Sequence, residues 1–288
     1  MILFYNHAAK HLADKLKVRK GKFTVKKFSD GEIYVKVNEN VRNKEVWVLA
    51  SSQSPSDNLI EMLFIIDALE RNKAKVNLIV TYLSYARQDL AKKGESLSCE
   101  VICSMVNHFK LRKIYVLHEH SERLKKFLKY KSIIPINYSL ISEFDLIASA
   151  DKGSQKLVKD IGSEINMDTL FIEKKRLGHE KIKSVRIKGD IGKIKDKKVI
   201  IIDDIIATGN TILEASNELF RKGVKDVCVY ATHGILSGEA IKNIEKSRIS
   251  KVYITNSLNQ NRAGIIKSKK ITVIDISNDI GKIITQRK

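Results

Sequence analysis

One stretch carries most of the fold prediction for this chain: Lys198-Val-Ile-Ile-Ile-Asp203-Asp204-Ile-Ile-Ala207-Thr208-Gly209-Asn210-Thr211. Its apolar run is rich in β-branched residues and predicts a buried strand that ends in the two adjacent acids. A polar loop follows, and apolar residues then recur at helical spacing as far as Gly223, which can cap the helix. A strand, a polar loop and a helix in this order indicate one unit of an open α/β sheet.

The same stretch predicts a ligand site. Ligands of open α/β sheets bind at the carboxyl ends of the strands, which is where we expect Asp203 and Asp204. Backbone N–H groups at the start of a helix favour a phosphate, so the loop Ala207–Thr211 is a candidate phosphate-binding loop. The carboxylates suit ribose hydroxyls or a magnesium ion. An ordinary strand–turn–helix is the alternative, but adjacent acids directly after a buried strand contribute little to packing.

The composition indicates a cytoplasmic protein with two folded domains. The chain has 288 residues, of which 43% are hydrophobic, so it can build cores of ordinary size. No run is long enough to span a membrane, and the first residues lack the order of a signal peptide. The cysteines, Cys99, Cys103 and Cys228, make no disulfide framework or zinc site. We therefore expect a reducing location without membrane contact.

The formal charge of +20 raises the question of nucleic-acid binding. The lysines are scattered along the chain, and few aromatic residues are interleaved with them as stacking platforms. Nucleic acid is therefore not expected as the main partner, although charge alone leaves a nucleic-acid-binding module as an alternative. A positive field also attracts small polyanions such as ATP and sugar phosphates.

Strand-like and helical segments alternate along the whole chain, which predicts two α/β domains with parallel sheets. We place the division between residues 140 and 141, giving domains 1–140 and 141–288. The two halves share a strand–polar loop–helix plan, with Val46–Ser54 before one helix and Val199–Thr211 before the other. This shared plan is compatible with an old duplication.

Two further polar segments lie in the first half. Phe28-Ser29-Asp30-Gly31-Glu32 predicts a turn with an exposed aromatic ring and two acids. Tyr85-Ala86-Arg87-Gln88-Asp89 follows a predicted strand, and here Arg87 could pair with a phosphate while Gln88 could bind a nucleotide. Taken singly, the first segment is a weak signal because Asp-Gly is a common turn, and the second is more typical of a solvated loop than of a nucleotide site.

Together with the phosphate loop, these segments resemble the ribose-phosphate pyrophosphokinase, or phosphoribosyl-pyrophosphate synthetase, family. The paired acids before Thr-Gly-x-Thr resemble the phosphoribosyl-pyrophosphate loop of that family and of type I phosphoribosyltransferases. Five other segments fall in family order: Asp145–Ser154, Phe171–Arg176, Thr232–Gly238, Thr255–Ser257 and Val273–Ser277. The resemblance covers almost the whole chain. It implies an α/β fold of two similar type I phosphoribosyltransferase-like domains, each with a mainly parallel sheet flanked by helices.

The resemblance also implies an activity. Such enzymes transfer the diphosphoryl group of ATP to the C1 hydroxyl of ribose 5-phosphate, giving 5-phosphoribosyl 1-diphosphate and AMP for nucleotide biosynthesis, and they need Mg²⁺. It implies that domain 1–140 binds ATP, that domain 141–288 binds ribose 5-phosphate, and that a homo-oligomer places the ATP site near a subunit interface. A phosphoribosyltransferase and an inactive regulatory synthetase homologue are the alternatives.

Site residues are implied in the same way. ATP would be bound by Phe28, Asp30, Gly31, Glu32, Arg87, Gln88 and His120. Ribose 5-phosphate would be bound by Arg176, Asp203, Asp204, Ala207, Thr208, Gly209, Asn210 and Thr211. Catalytic roles fall to Lys174, Arg176 and His120, and metal binding to His120 and Asp151. The segment Leu177–Ile187 has the polar, glycine-containing character of a lid.

The chain departs from the family pattern at a few positions. His118 stands where the family usually has an acid, two residues before His120, which puts the metal geometry in question. Asn210 stands where glycine is common, and asparagine tolerates a positive φ better than most residues. Leu90 replaces a frequent lysine. None of these changes removes a group that the chemistry requires.

Overall fold

A computed structural model describes residues 1–177, 181–190, 192, 194–261 and 263–286, without the side chains of residues 174–177, 181–185 and 263. The chain divides into two compact units. Unit 1 consists of Met1–Pro135, Asn256–Asn259 and Asp275–Lys288, and unit 2 consists of Ile136–Thr255 and Gln260–Ile274.

Unit 1 contains a parallel sheet and a separate hairpin. Its strands are β1 (Ile2–Tyr5), β2 (Arg19–Lys20), β3 (Phe23–Lys27), β4 (Ile33–Val37), β5 (Glu45–Ser51), β6 (Lys75–Tyr82), β7 (Lys113–Leu117) and β8 (Lys131–Ile133). Six of them form a parallel sheet in the order β2-β1-β5-β6-β7-β8, while β3 and β4 pair with each other in antiparallel fashion. The helices are α1 (Lys10–Ala13), α2 (Asp57–Arg71), α3 (Ser98–Asn107) and α9 (Ser277–Thr285), with 3-10 turns at His7–Ala9 and Glu122–Lys126.

Unit 2 contains a seven-stranded sheet in the order β11-β10-β9-β12-β13-β14-β15. The strands are β9 (Leu146–Ser149), β10 (Thr169–Leu177), β11 (Lys181–Lys188), β12 (Lys198–Ile206), β13 (Asp226–Gly234), β14 (Lys251–Thr255) and β15 (Ile271–Ile274). All neighbours are parallel except β10 and β11. The helices are α4 (Tyr138–Ile141), α5 (Gln155–Ile165), α6 (Asn210–Arg221), α7 (Ala240–Lys246) and α8 (Ala263–Ile266).

The two units repeat one strand order. In each unit the first strand of the sheet pairs with the second strand on one side. The third strand of the shared order pairs with the first strand on its other side, and later strands add outward from there. The corresponding strands are β1 and β9, β2 and β10, β5 and β12, and β6 and β13. The prediction of two similar α/β domains with mainly parallel sheets is confirmed. The repeated order also supports the duplication that the shared strand–loop–helix plan suggested.

The apolar run of the β12 stretch forms a strand because both of its faces are covered. Val199 and Ile201 belong to one buried cluster, and Ile200 and Ile202 belong to another. Alternate residues of a strand point to opposite faces of the sheet, so a central strand with helices on both faces needs a continuous apolar run. Gly223, with φ +86°, follows α6 as predicted.

Two features differ from the sequence prediction. β12 does not end at the paired acids but continues as far as Ile206, because β13 pairs with it over that length. The alternation of Ser184–Lys188 predicts an edge strand, and this segment does lie in the edge strand β11, which pairs with β10. The carboxyl-terminal helix α9 packs in unit 1, so the two compact units differ from the predicted domains 1–140 and 141–288. Those domains stay a prediction of where ATP and ribose 5-phosphate bind.

Candidate functional site

The connections that follow β9 and β12 in unit 2 run to opposite sides of this strand pair. β9 leads to β10 on one side of the sheet, and β12 leads to β13 on the other, which makes this the topological switch point where α/β sheets bind ligands. The pairing of β12 with β9 ends at Ile202 and Ser149, while its pairing with β13 continues to Ile206 and Gly234. The last residues of β12 therefore border an opening on the β9 side.

The paired acids lie in this last part of β12. Asp203 is buried at 5% exposure, and its Oδ1 accepts a hydrogen bond of 3.1 Å from the backbone N–H of the half-buried Asp204. Burial, and after it the neighbouring charges of Asp204 and Asp151, raise the pKa of Asp203 well above its ordinary value. Neighbouring carboxyl groups of this kind suit hydroxyl donors, or a cation that takes its other ligands from elsewhere.

Asp151 reaches this cluster from the loop after β9. Its Oδ1 accepts a hydrogen bond of 2.8 Å from the backbone N–H of Gly153, which closes a tight turn. The hydroxyl of the buried Ser154 accepts from the N–H of Ala150 at 3.1 Å. These bonds fix the turn between β9 and α5, so the structure brings the predicted metal residue Asp151 to the acids of β12.

The predicted phosphate loop connects β12 to α6. The backbone N–H groups of Leu236 and Ser237 donate to the carbonyls of Ile206 and Ala207 at 3.0 Å and 2.9 Å. Within the described residues, no backbone acceptor is recorded for the N–H groups of residues 208–210. The loop therefore has its first carbonyls engaged and its donors available at the start of a helix, which is the arrangement that binds an anion.

Gly209 sets the conformation of this loop. It is the N-cap of α6 and has φ +82°, which is in the left-handed region. Its carbonyl accepts the N–H of Leu213 at 3.0 Å, which begins the helix. A β-carbon at Gly209 would come no closer than 3.9 Å to other atoms, so the backbone angle and not space requires glycine here. Thr208 and Asn210 on either side are exposed.

The first predicted ATP segment forms the turn of the β3–β4 hairpin in unit 1. Phe28 donates its N–H to the carbonyl of Glu32 at 2.8 Å, and Glu32 donates to Oδ1 of Asp30 at 3.1 Å. Gly31, with φ +93°, takes the left-handed position of the turn. The Phe28 ring is 47% exposed, with the ring of Tyr34 5.7 Å away and the Lys26 Nζ 5.3 Å from its centroid.

The second predicted ATP segment is a turn after β6. The hydroxyl of Ser98 donates to Oε1 of Gln88 at 2.6 Å, and the N–H of Cys99 donates to the Gln88 carbonyl at 3.2 Å. The start of α3 therefore fixes the position of Gln88 and leaves its amide N–H groups for a ligand. Arg87 is exposed, and no ion pair is recorded for its guanidinium among the described side chains.

The predicted histidine lies just beyond β7. His120 is exposed, whereas His118 is buried at 7% exposure and has φ +38°. The backbone N–H of His118 donates to the carbonyl of Ile133 at 2.8 Å. Glu119 between them accepts a hydrogen bond from the hydroxyl of Ser132. The burial of His118 indicates a packing role at the family's acid position.

Lys174 and Arg176 lie in the second part of β10. The first part, Thr169 and Leu170, pairs with β9, and the strand then extends beyond β9. Among the described residues, this extension of β10 pairs only with β11, in a two-stranded ribbon whose register shifts between Lys175 and Arg176. The side chains of Lys174 and Arg176, and part of the predicted lid segment, lie outside the described parts of the chain. The backbone places both residues on this ribbon.

Comparisons with known proteins show which family this chain belongs to. One family profile, described as the N-terminal domain of ribose phosphate pyrophosphokinase, matches residues 4–109, and another, described as a phosphoribosyl synthetase-associated domain, matches residues 153–287. The ribose-phosphate pyrophosphokinase of Aquifex aeolicus is 33% identical over 269 residues, which cover 89% of this chain and 85% of that protein.

The chain belongs to the ribose-phosphate pyrophosphokinase family.

Two further relatives support the same assignment. Ribose-phosphate pyrophosphokinase 2 of Enterococcus faecalis is 32% identical, with 97% of this chain and 90% of that protein covered. The crystal structure of phosphoribosylpyrophosphate synthetase from Mycobacterium smegmatis matches with a TM-score of 0.85 and 29% identity, over 98% of this chain and 97% of that one. The predicted family and the type I phosphoribosyltransferase-like fold are confirmed.

The sequence did not predict the hydrogen bonds that hold the predicted phosphate loop of this ribose-phosphate pyrophosphokinase family member in place. The segment Thr232–Gly238 was matched to the family, but no role was given to it. In the structure Leu236 adopts φ +49° while buried at 4% exposure, and this directs its N–H and that of Ser237 onto the loop carbonyls. A leucine gives no sequence signal for a left-handed conformation, whereas Gly238, with φ +57°, does mark the turn.

Proposed function

We propose that this chain transfers the diphosphoryl group of ATP to the C1 hydroxyl of ribose 5-phosphate, giving 5-phosphoribosyl 1-diphosphate and AMP. The observation that carries this proposal is the junction of β12 and α6. There, buried and half-buried carboxylates lie directly before a loop with N–H donors at the start of a helix, in a member of the ribose-phosphate pyrophosphokinase family. Nucleotide biosynthesis consumes such a product.

The sugar phosphate is assigned to unit 2. The N–H groups of residues 207–211 and the hydroxyls of Thr208 and Thr211 would bind the 5-phosphate by charge-assisted hydrogen bonds without a lysine. Asp203 and Asp204 are too close to that anion to serve phosphate affinity. They would instead accept hydrogen bonds from the ribose hydroxyls, which orients the C1 hydroxyl for attack.

ATP is assigned to the two polar segments of unit 1. The exposed face of Phe28 would stack on adenine, while Asp30, Gly31 and Glu32 would bind the base and its surroundings. Arg87 would pair with a phosphate, and the oriented amide of Gln88 would donate to the nucleotide. Their exposure and the hydrogen bonds that fix Gln88 and the hairpin turn support this assignment.

The chemistry itself needs alignment and charge neutralisation more than covalent help. Lys174 and Arg176 would meet the charge that develops on the transferred phosphoryl group and the leaving AMP. His120 would lie near the ATP phosphates. We propose that the β10–β11 ribbon, which is the only pairing of this part of β10 among the described residues, serves as the lid that excludes water.

Mg²⁺ is the proposed cofactor, and Asp151 and His120 are each proposed as metal ligands. When bound, it would neutralise charge on the phosphates. The described residues contain no group of three or more His, Cys, Asp and Glu side chains that could hold a metal ion. This fits magnesium, which keeps several waters and takes one or two carboxylates together with substrate phosphates. The carboxyl oxygens around Asp203 suit such a hard cation, whereas a histidine nitrogen suits it less.

We also propose a homo-oligomer with the ATP site near a subunit interface, and a reducing, cytoplasmic location. All three cysteines are free and buried, as expected where no disulfides form. In the part of the chain that the structure describes, no helix has both the length and the apolar composition to cross a bilayer.

The direct test is AMP release from ATP, ribose 5-phosphate and Mg²⁺. Thr211→Val should weaken ribose 5-phosphate by at least about tenfold in KM and leave the KM of ATP unchanged, because one hydroxyl donor to a dianion is lost. The exposed Thr24→Val in the hairpin strand β3 is the matched control. An unchanged KM for ribose 5-phosphate would contradict the assignment of the loop.

The same assay separates the alternatives. A phosphoribosyltransferase would consume 5-phosphoribosyl 1-diphosphate with a base and would release no AMP from ATP. An inactive regulatory homologue would show neither reaction.

A further inference from the structure

The end of β13 extends beyond its pairing with β14. The last register pair of these two strands joins Ala231 to Ile254, whereas the pairing of β13 with β12 continues as far as Gly234. A β-carbon at Gly234 would come within 2.6 Å of the buried Ile254 side chain, so the two chain segments are in close contact where they part. Among the described residues, groups other than strand pairing hold residues 232–234 on the β14 side.

Two side chains from the chain at and after the end of β14 make this attachment. The hydroxyl of Thr255, the last residue of β14, donates to the carbonyl of Thr232 at 2.7 Å. The amide Nε2 of Gln260 donates to the carbonyl of Gly234 at 2.9 Å. Thr255 is fully buried and Gln260 is 6% exposed, so neither side chain serves contact with solvent. Buried polar groups of this kind are retained where their hydrogen bonds hold another segment in place.

The segment that they hold is the one against which the phosphate loop begins. Gly234 is the register partner of Ile206, the last residue of β12. Just after Gly234, Leu236 and Ser237 donate their N–H groups to the carbonyls of Ile206 and Ala207 at 3.0 Å and 2.9 Å. A shift at the end of β13 would therefore move both the end of β12 and the first residues of the loop.

We propose that Thr255 and Gln260 are positioning residues for ribose 5-phosphate. They hold the end of β13, and the end of β13 holds the loop in the conformation that directs its N–H groups at the 5-phosphate. The inference rests on the proposed function, because it assumes that this loop binds the sugar phosphate. It adds a requirement for two buried side chains that follow the loop by more than forty residues in the sequence.

The size of the effect follows from the geometry of the loop. Hydrogen bonds weaken steeply when the donor turns away from the acceptor, and the loop offers several N–H groups to one phosphate. A displacement of the loop affects all of these bonds together, so a single lost tether should raise the KM for ribose 5-phosphate by about tenfold or more. The KM for ATP should stay unchanged, since ATP is assigned to unit 1.

The first experiment compares variants that keep the volume of the side chain but change its donor. Thr255→Val and Gln260→Met remove the donor, whereas Thr255→Ser retains a hydroxyl. We expect Thr255→Val and Gln260→Met each to raise the KM for ribose 5-phosphate by about tenfold, and Thr255→Ser to stay close to the wild type. The two positions give independent tests, so the inference stays falsifiable if one variant does not fold.

Val252→Ala is the control for general loss of stability. Val252 lies on the same strand β14, is fully buried, and belongs to the core cluster of unit 2, but its side chain makes no hydrogen bond. This variant should unfold at a lower urea concentration and keep the wild-type KM for ribose 5-phosphate. An equal rise in KM for Val252→Ala and Thr255→Val would overturn the inference, because instability alone would then explain both.

The second experiment needs no substrate. Amide hydrogen exchange, followed residue by residue, reports how often the N–H groups of Leu236 and Ser237 leave their acceptors. Thr255→Val and Gln260→Met should speed the exchange of these two amides by about tenfold relative to the other strands of unit 2, and Thr255→Ser should not. Unchanged relative exchange in both donor-free variants would overturn the inference.

Calorimetric titration with ribose 5-phosphate separates this inference from the function on which it rests. A wild-type chain that binds no ribose 5-phosphate would overturn the proposed function and the inference together. A wild-type chain that binds it and releases AMP, with Thr255→Val and Gln260→Met binding it equally well, would overturn the inference alone. Weaker binding in both variants, with Thr255→Ser and Val252→Ala like the wild type, would support it.

Discussion

Ile202 and Ser149 form the last register pair between β12 and β9. The Ser149 hydroxyl accepts a hydrogen bond of 3.1 Å from the N–H of Ile172, so the end of β9 is tied to β10 as well. The pairing of β12 with β9 ends one residue before Asp203. Among the described residues, the rest of β12 pairs with β13, and this end of the pairing sets the position of the candidate site.

We expect Asp203→Asn to increase stability while it removes activity. Asparagine keeps the size of the side chain but replaces the buried carboxyl group beside Asp204 and Asp151 with a neutral amide. The free energy of unfolding should rise by roughly 1–3 kcal/mol, because a poorly compensated buried charge is removed. Urea unfolding and AMP release measure the two effects. Asp160→Asn, on an exposed position of α5, is the control and should change neither. A less stable Asp203→Asn would show that the native site compensates this charge.

Gly209→Ala should weaken ribose 5-phosphate binding. The φ of +82° costs an alanine about 1–2 kcal/mol, so the loop should shift its donors away from the phosphate position. We expect the KM for ribose 5-phosphate to rise by about tenfold, with little change for ATP. Gly281→Ala in α9 is the control, since its new methyl group would lie 3.6 Å from Leu16 in ordinary contact. Equal KM values for the two variants would contradict the loop assignment.

Phe28→Ala should weaken ATP without destabilising the fold. The ring is 47% exposed and contributes little to the core, but stacking on a base is worth about 1–3 kcal/mol. The KM for ATP should rise while the KM for ribose 5-phosphate stays the same. Phe28→Trp retains a stacking face and should retain most of the affinity. If both variants bind ATP like the wild type, adenine does not bind at this hairpin.

Lys174→Ala should lower turnover far more than it weakens ribose 5-phosphate. A cation that acts mainly in the transition state affects kcat, and its loss should cost on the order of 100-fold. Lys188→Ala on β11 is the matched control, because this lysine forms an exposed ion pair of 2.9 Å with Glu173, and exposed pairs contribute little. A Lys174→Ala enzyme with normal kcat and only a raised KM would refute the catalytic role.

His11 should make stability depend on pH. Burial lowers the pKa of His11 below the ordinary value of 6.5. The hydrogen bond of 2.8 Å between Nε2 and the carbonyl of Asn256 opposes this shift but does not cancel it. Of the charged neighbours, Lys15 lowers the pKa and Asp14 raises it. The unfolded chain therefore takes up a proton at a higher pH than the native chain. The stability that neutral His11 contributes is complete above about pH 6.5 and is lost as the pH falls towards the native pKa.

Urea unfolding of wild type and His11→Gln at about pH 7.5 and pH 5.5 measures this loss. The wild type should lose more stability between the two values, by no more than about 1 kcal/mol. Equal losses would show that His11 has an ordinary pKa in the native protein.

Much of the candidate site could be predicted because its residues are close in sequence. Asp203, Asp204 and Ala207–Thr211 lie within one strand–loop–helix unit, whose polar loop and glycine have direct conformational signatures. The Phe28 turn was predicted for the same reason. The support from Leu236 and Ser237 could not be predicted, because a backbone N–H has no side-chain signal. The extension of β12 to Ile206 depends on its pairing with β13, which the strand's own residues do not encode.

Local sequence was enough to predict the alternation of strands and helices, the continuous apolar strands, the family motifs and the glycine at the start of α6. These are local properties of the chain, since side-chain periodicity and backbone angles act over a few residues. The three-dimensional structure was needed to show that Asp151 approaches Asp203, that α9 packs in unit 1, and that Phe64, Val101 and Met105 share one groove. Such contacts join residues far apart in sequence, and their geometry follows from how complete elements pack.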